Sequence, residues 1–130
     1  MKTVFTNGCF DIVHRGHIEL LEFCYSIGNN VIVGLNSDKS IKLLKGDTRP
    51  INTQEDRKKL LESIKWVSKV VIFDEETPEK LIKSLMPDII VKGGDYKKED
   101  VVGNDACEVR IFKYVEGYST TKTIQDISNR

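Results

Sequence analysis

Apolar residues fall along the chain in short bursts, and two spacings alternate between polar, glycine- and proline-containing stretches. Val4-Phe5 opens a short apolar strand that ends at Thr6-Asn7-Gly8. From about Gly16, the residues Ile18, Leu20, Leu21, Cys24 and Tyr25 recur near helical spacing, and Gly28 ends that helix. Residues 30–35 (N-V-I-V-G-L) are a buried-strand run. Residues 37–52 are polar, contain Gly46 and Pro50, and read as a long loop; such loops inside a compact domain are usually functional. Thr53 opens the next helix, with Asp56 in a capping-box arrangement, and that helix runs to about Ile64. Val70-Val71-Ile72-Phe73 is a third strand. Thr77-Pro78 starts a helix with proline at the first helical position, and Pro87 closes it. Ile89-Ile90-Val91 is a fourth strand, and residues 108–114 are a fifth whose charges suit a sheet edge. Residues 119–127 form a last helix.

Strands alternating with helices predict an α/β fold with a parallel sheet covered on both faces. Ligands on such sheets bind at the carboxyl ends of the strands, where the strand order reverses. The residues just after each strand therefore carry the functional expectation.

Composition narrows the class. A chain of 130 residues suits one domain with a single core. Lys plus Arg is 20 and Asp plus Glu is 20, so the formal net charge is zero. General nucleic-acid and anionic-membrane binders usually show a basic excess, and neither partner is expected; a local phosphate site needs no such excess. Cys9, Cys24 and Cys107 are odd in number and widely spaced, which fits reduced thiols. No apolar run approaches the roughly 18 residues needed to cross a membrane. Met1-Lys2-Thr3-Val4-Phe5 turns polar at once, unlike a signal peptide. The cytoplasm is the expected compartment.

Four constellations carry chemistry. Thr6-Asn7-Gly8-Cys9-Phe10-Asp11 leads into His14-Arg15-Gly16-His17, which holds both histidines of the chain. Gly16 lets a phosphate approach the backbone, and the helix start behind it offers free N–H groups and a positive dipole end. Two imidazoles there can donate to charge developing on a phosphoryl group. The same pair can instead be a zinc site completed by Cys9 or Asp11, or two helix-start histidines without chemistry. Gly117-Tyr118-Ser119-Thr120-Thr121-Lys122 opens the last helix as either a triphosphate cradle or an ordinary N-cap. Lys92-Gly93-Gly94-Asp95-Tyr96 follows the fourth strand; its glycines admit a flat base that Asp95 can contact, or form a tight turn. In the long loop, Lys42, Lys45, Asp47 and Arg49, with Arg57 behind them, can grip the phosphate of a second substrate or be solvated charge.

Residues 6–17, T-N-G-C-F-D-I-V-H-R-G-H, resemble the H-x-G-H signature of the cytidylyltransferase-like nucleotidyltransferases. Y-S-T-T-K at residues 118–122 resembles their I-S-T-T-K signature, with Tyr118 in the apolar position. The resemblance spans essentially the whole chain. It is nearest to the adenylyltransferase domain of ADP-heptose synthesis, through N-S-D (36–38), L-K-G-D-T-R-P (44–50) and V-K-G-G-D-Y (91–96). It implies a single-domain, Rossmann-like parallel sheet of five strands with helices on both faces. It also implies transfer of AMP from ATP to a heptose 1-phosphate, a Mg²⁺-bound triphosphate, and a homodimer. His14 and His17 would then flank the α-phosphate, and residues 119–122 would hold the β- and γ-phosphates.

The site expected from motifs and resemblance together has His14, His17 and Lys122 as catalytic residues and no protein metal ligands. Thr6, Asn7, Gly8, Phe10, Gly16, Gly94, Asp95, Ser119, Thr120 and Thr121 are expected around the nucleotide, and Asp11, Asp38, Lys45, Arg49 and Arg57 around the second substrate. The pattern departs from the heptose enzymes in a shorter stretch between Gly103 and Glu108 and in Lys122, which are closer to glycerol-3-phosphate cytidylyltransferase. Ser68 stands where both relatives tend to carry Asp. Heptose enzymes are often fused to a sugar kinase, which this chain does not carry, so the 1-phosphate is expected from another protein. The alternatives are a cytidylyl- or guanylyltransferase acting on glycerol 3-phosphate or another sugar phosphate, and a nucleotide sensor without catalysis.

Overall fold

The computed structural model describes residues 2–113 and 120–129, with the side chains at 120 and 122 outside that description. Its elements run β1 (Thr3–Gly8), α1 (Arg15–Ile27), β2 (Asn30–Asn36), α2 (Asp38–Lys45), α3 (Gln54–Glu62), β3 (Lys69–Phe73), α4 (Glu79–Leu85), β4 (Ile89–Gly93), a 3₁₀ turn at Lys98–Asp100, β5 (Glu108–Phe112) and α5 (Thr120–Ser128). The strands form one sheet in the order β3-β2-β1-β4-β5, every neighbouring pair parallel.

Successive side chains of a strand point to opposite faces, so a strand buried on both sides reads as a continuous apolar run. Val4, Val31, Val33, Ile89 and Val91 pack on one face with Leu20, Leu21 and Cys24 of α1 and Leu61 of α3. Phe5, Ile32, Ile90 and Val109 pack on the other with Ile82 of α4 and Val101. Helices thus cover both faces, as the alternation predicts.

The chain winds outward from β1 to β2 and β3, then crosses back through α4 to β4 on the other side of β1. The order therefore reverses between β1 and β4. Their ladder carries only Val4↔Ile89 and Phe5↔Ile90. Past that point β1 stays paired with β2 out to Gly8↔Leu35, and β4 with β5 out to Gly93↔Phe112. A crevice opens at the carboxyl ends of the two central strands, where doubly wound sheets place their ligands.

The predicted loop over residues 37–52 is corrected: it contains α2. Ser37 caps that helix, its Oγ accepting from the Ser40 N–H at 3.1 Å, with Asp38 in the first turn and Lys42 and Lys45 in the last. Ile41 is its one buried apolar residue, while Leu43 and Leu44 are exposed, so the helix is anchored to the core at a single side chain. Other boundaries shift slightly. α3 begins with Thr53 accepting from the Asp56 N–H at 3.3 Å, as expected, and ends at Glu62. Pro78 is the N-cap of α4 and not its first helical residue. β5 ends at Phe112 and lies at the sheet edge, as its charges suggest.

Arg57, expected around the second substrate, lies in the wall of the site. Its side chain is only 1% exposed, and its donors are occupied. Nε donates to the Asn52 carbonyl at 3.0 Å, Nη1 to the carbonyls of Cys9 at 2.8 Å and Asn36 at 2.7 Å, and Nη2 to Asp38 Oδ1 at 2.8 Å. Arg57 is a strut inside the wall of the site. Removing it strands buried carbonyls and the Asp38 carboxylate together. Arg57→Ala should lower the unfolding free energy by at least about 3 kcal/mol in urea denaturation, since it leaves several carbonyls without a donor and each unmet buried acceptor costs about 1–3 kcal/mol. Unchanged stability with a selective rise in KM for a phosphorylated substrate would return Arg57 to the ligand.

Candidate active site

The segment between β1 and α1 is held in unusual backbone. Phe10 has φ 46° and Ile12 φ 61°, in the left-handed region that costs a non-glycine residue about 1–3 kcal/mol. Burial offsets this cost. The Phe10 ring is 4% exposed, lies 5.1 Å from the His17 ring, and passes so close to Gly8 that a Cβ there would sit 3.1 Å from it. Asp11, 1% exposed, accepts from the N–H groups of Ile51 at 2.6 Å and Asn52 at 2.9 Å. Asp11 thereby fastens the loop after α2 over the start of α1.

The two histidines cap α1 reciprocally. His14 is the N-cap, and its Nδ1 accepts from the buried Gly16 N–H at 3.1 Å. His17 reaches back, its Nδ1 accepting from the His14 N–H at 3.1 Å. The rings stack with centroids 3.8 Å apart and planes 23° from parallel. An imidazole whose Nδ1 accepts carries its proton on Nε2 when neutral, so the caps fix the tautomer of both rings. Burial, then the charges of His14 and Lys45, push the His17 pKa down to about 3. Burial also lowers that of His14. Both rings are neutral donors at neutral pH.

The remaining expected residues divide. Lys45, exposed at the end of α2, lies near enough to influence His17. Arg49 approaches Asp11, Nε to Oδ2 at 3.7 Å, and its Nε and Nη2 are buried without hydrogen-bond partners among the described residues. Buried donors left unmet cost about 1–3 kcal/mol each, so this is a position suited to an anion. Asp38 is paired with Arg57 and stays about a third exposed, at 32%. Thr6 is buried, and its Oγ1 has no hydrogen-bond partner among the described residues. Asn7 stands half-buried at the mouth of the crevice. Gly94 turns the chain at φ 116°, its N–H donating to the Phe112 carbonyl at 2.9 Å, and Asp95 is exposed just beyond. Ser119 lies outside the described residues. Thr120, Thr121 and Lys122 fall in the first turn of α5, with Thr121 exposed.

Lys92 carries no role in the motif pattern, yet it sits at the crevice. A cavity of about 160 Å³ there is lined by Asn7, Pro78, Lys92, Tyr96, Asp100 and Val101. A signal exists in the sequence: alternation puts Lys92 on the same face as the core residue Ile90, an inward position for a cation. A larger cavity, about 330 Å³, lies against α4 and residues 100–106, among Ile82, Lys83, Val101 and Asn104. The smaller one matters more, because it adjoins the strand ends.

Comparison with known proteins agrees with this geometry. The family model described as Cytidylyltransferase-like matches residues 5–126. The bifunctional protein HldE of Aliarcobacter butzleri is 56% identical over 127 residues, which are 97% of this chain and 27% of that protein. HldE of a Nitratiruptor species is 57% identical over 125 residues, 95% of this chain and 27% of that protein. The chain thus spans about a quarter of the length of these curated relatives. The crystal structure of the lipopolysaccharide core biosynthesis protein from Thermoplasma volcanium is similar with a TM-score of 0.74 and 26% identity, covering 92% of this chain and 99% of that one. A family model matched over nearly the full length of the chain, on a sheet that reverses beside a doubly capped H-x-G-H, places this chain in the cytidylyltransferase-like family of nucleotidyltransferases.

Proposed function

We propose that the chain transfers AMP from ATP to a heptose 1-phosphate, releasing pyrophosphate. The observation that carries the chemistry is the stacked His14–His17 pair, both Nδ1 atoms tied to backbone N–H groups, which puts the proton of each neutral ring on Nε2. An oxygen of the sugar phosphate attacks the α-phosphorus, and the bond to the bridging oxygen of pyrophosphate breaks. The attacking phosphate is already anionic, so no general base is needed, and catalysis consists of positioning and charge stabilisation. Neutral imidazoles suit this, because they donate to oxygens that gain charge only in the transition state.

Lys45 and Arg49 hold the phosphate of the second substrate in this reading, and Ser119, Thr120, Thr121 and Lys122 the triphosphate tail. Asn7, Gly8, Gly94 and Asp95 border the nucleotide. Mg²⁺ is the proposed cofactor, offsetting charge on the tail. The donor chemistry fits it: both Asp11 oxygens accept backbone N–H groups and both histidine Nδ1 atoms cap α1, which leaves phosphate oxygens and water as the metal's shell. The choice of ATP and heptose rests on the relatives and on the L-K-G-D-T-R-P and V-K-G-G-D-Y runs. A cytoplasmic homodimer belongs to the same reading. It is supported by three free cysteines and by exposed Leu43, Leu44, Ile51 and Leu60, apolar surface that a second copy can bury. No helix among the described residues is long and apolar enough to cross a membrane.

The deciding assay is kcat/KM for ATP, CTP and GTP, each with heptose 1-phosphate and with glycerol 3-phosphate. ATP with heptose 1-phosphate should be clearly preferred, since buried hydrogen bonds discriminate strongly between bases. Faster turnover of CTP with glycerol 3-phosphate overturns the substrate and leaves nucleotidyl transfer standing. In the same assay His17→Ala should reduce turnover by about a hundredfold or more while triphosphate affinity changes far less; the opposite split removes the catalytic role. Stability supplies a second check. The folded pKa of His17 lies below its unfolded value of 6.5, so the unfolded chain takes up the proton first as the pH falls. The contribution of neutral His17 to stability is therefore full above pH 6.5 and should be lost between pH 6.5 and about 3. His17→Asn should flatten that part of the denaturation profile, and an unchanged profile would contradict a buried neutral ring.

A further inference from the structure

Beyond Phe5 and Ile90, the last residues at which β1 and β4 pair, the same face of each strand presents one more residue: Asn7 on β1 and Lys92 on β4. Phe5 and Ile90 belong to the core on that face. Lys92 is therefore a cation set on a core-facing position at the switch point of the sheet. It is half-buried, and burial lowers its affinity for its proton, while the nearby Cys9 thiol acts the other way. Its Nζ lies 5.0 Å from the centre of the Tyr96 ring, a cation–π contact that fixes the head of the side chain. Among the described residues Lys92 makes no ion pair, although acids and bases are equal in number along the chain. Asp100 lines the same cavity but does not come within ion-pair distance.

A half-buried ammonium without a counter-charge is a cost to the empty protein, and one that an anionic ligand removes. Here the anion has a place: the cavity of about 160 Å³ between Lys92 and Asn7 opens beside the strand ends that carry the histidine segment. Asn7 and Asp100 line it with groups that can hydrogen-bond hydroxyls beside a phosphate.

We propose that Lys92 is a phosphate-binding residue of the crevice between β1 and β4, taking a phosphate oxyanion of one of the two substrates. The assignment of substrates rests on the nucleotidyltransferase reading; the presence of an anion site does not. Phosphate chemistry is common to the triphosphate and to the sugar phosphate, and kinetics separates the two sources.

The test uses Lys92→Met, which keeps the length of the stem without the charge, and Lys92→Arg, which keeps the charge. Inorganic phosphate is titrated into the nucleotide-free protein and followed by ³¹P NMR. Wild type and Lys92→Arg should bind it, and Lys92→Met should bind about tenfold more weakly or worse, as loss of a charge-assisted contact implies. In turnover, Lys92→Met should raise the KM of one substrate by a similar factor, and the substrate affected identifies whose phosphate is held. The melting temperature of unliganded Lys92→Met should be unchanged or higher, because an uncompensated charge is gone. Failure of wild type to bind phosphate, or equal binding by Lys92→Met, overturns the proposal. A lowered melting temperature with both KM values unchanged also overturns it, making Lys92 a structural residue. If wild type releases no pyrophosphate with any substrate pair, the nucleotidyltransferase reading fails, and the phosphate titration still decides Lys92.

Discussion

One buried guanidinium holds the site together. Arg57 collects carbonyls from three segments distant in sequence: Cys9 before α1, Asn36 at the end of β2 and Asn52 ahead of α3. Asp11 does the complementary work with amides, taking the N–H groups of Ile51 and Asn52. The Asn52 backbone is therefore fixed through both of its polar groups, one by a base and one by an acid. Burying a charge is costly unless every donor is met, and Arg57 meets its donors with groups that would otherwise be stranded themselves. The left-handed backbone at Phe10 and Ile12 persists because this network and the Phe10 ring hold the segment on both sides.

The histidines show why such holding matters. Each ring uses its Nδ1 corner to finish a helix, which leaves the proton of the neutral ring on Nε2, so folding α1 and setting the tautomer are a single event. Burial is the larger reason that His17 stays neutral, and stacking at 3.8 Å adds that two cations cannot coexist there. The outcome is a pair of neutral donors beside a helix start, in a place where an anion gains from the helix dipole as well.

The strands were legible because burial on both faces leaves continuous apolar runs, and the caps of α1 and α3 were legible because Gly28 and Thr53 have local meanings. The H-R-G-H pair was readable as two histidines at a helix start, but its reciprocal capping was not, since that depends on ring orientation. α2 escaped because it is short and mostly polar, and lies in a stretch with Gly46 and Pro50 that reads as loop. The burial of Arg57 was hidden for a different reason: its partners lie 5 to 48 residues away, and a charge reads as surface until all of them are present. Ser68, a departure from the resembling enzymes, has a local explanation. Its hydroxyl accepts from the Val31 N–H at 3.0 Å and donates to the Asn29 carbonyl at 3.2 Å, closing the entrance to β2.

The short seam between β1 and β4 has a mechanical consequence. The sheet divides into two ribbons, β3-β2-β1 and β4-β5, joined at Val4 and Phe5 and, just before them, by the Asp88 N–H donating to the Thr3 carbonyl at 3.0 Å, and backed there by the packing of Phe5, Ile82, Ile90 and Val101. Toward the carboxyl ends no ladder joins β1 to β4, so no backbone hydrogen bond there opposes a change in the angle between the ribbons. A molecule lodged between Asn7 and Lys92 touches both ribbons and acts as the missing rung. Occupancy would then register as stiffness of the whole sheet, protecting amides in β4 and β5 from exchange far from any atom the ligand contacts.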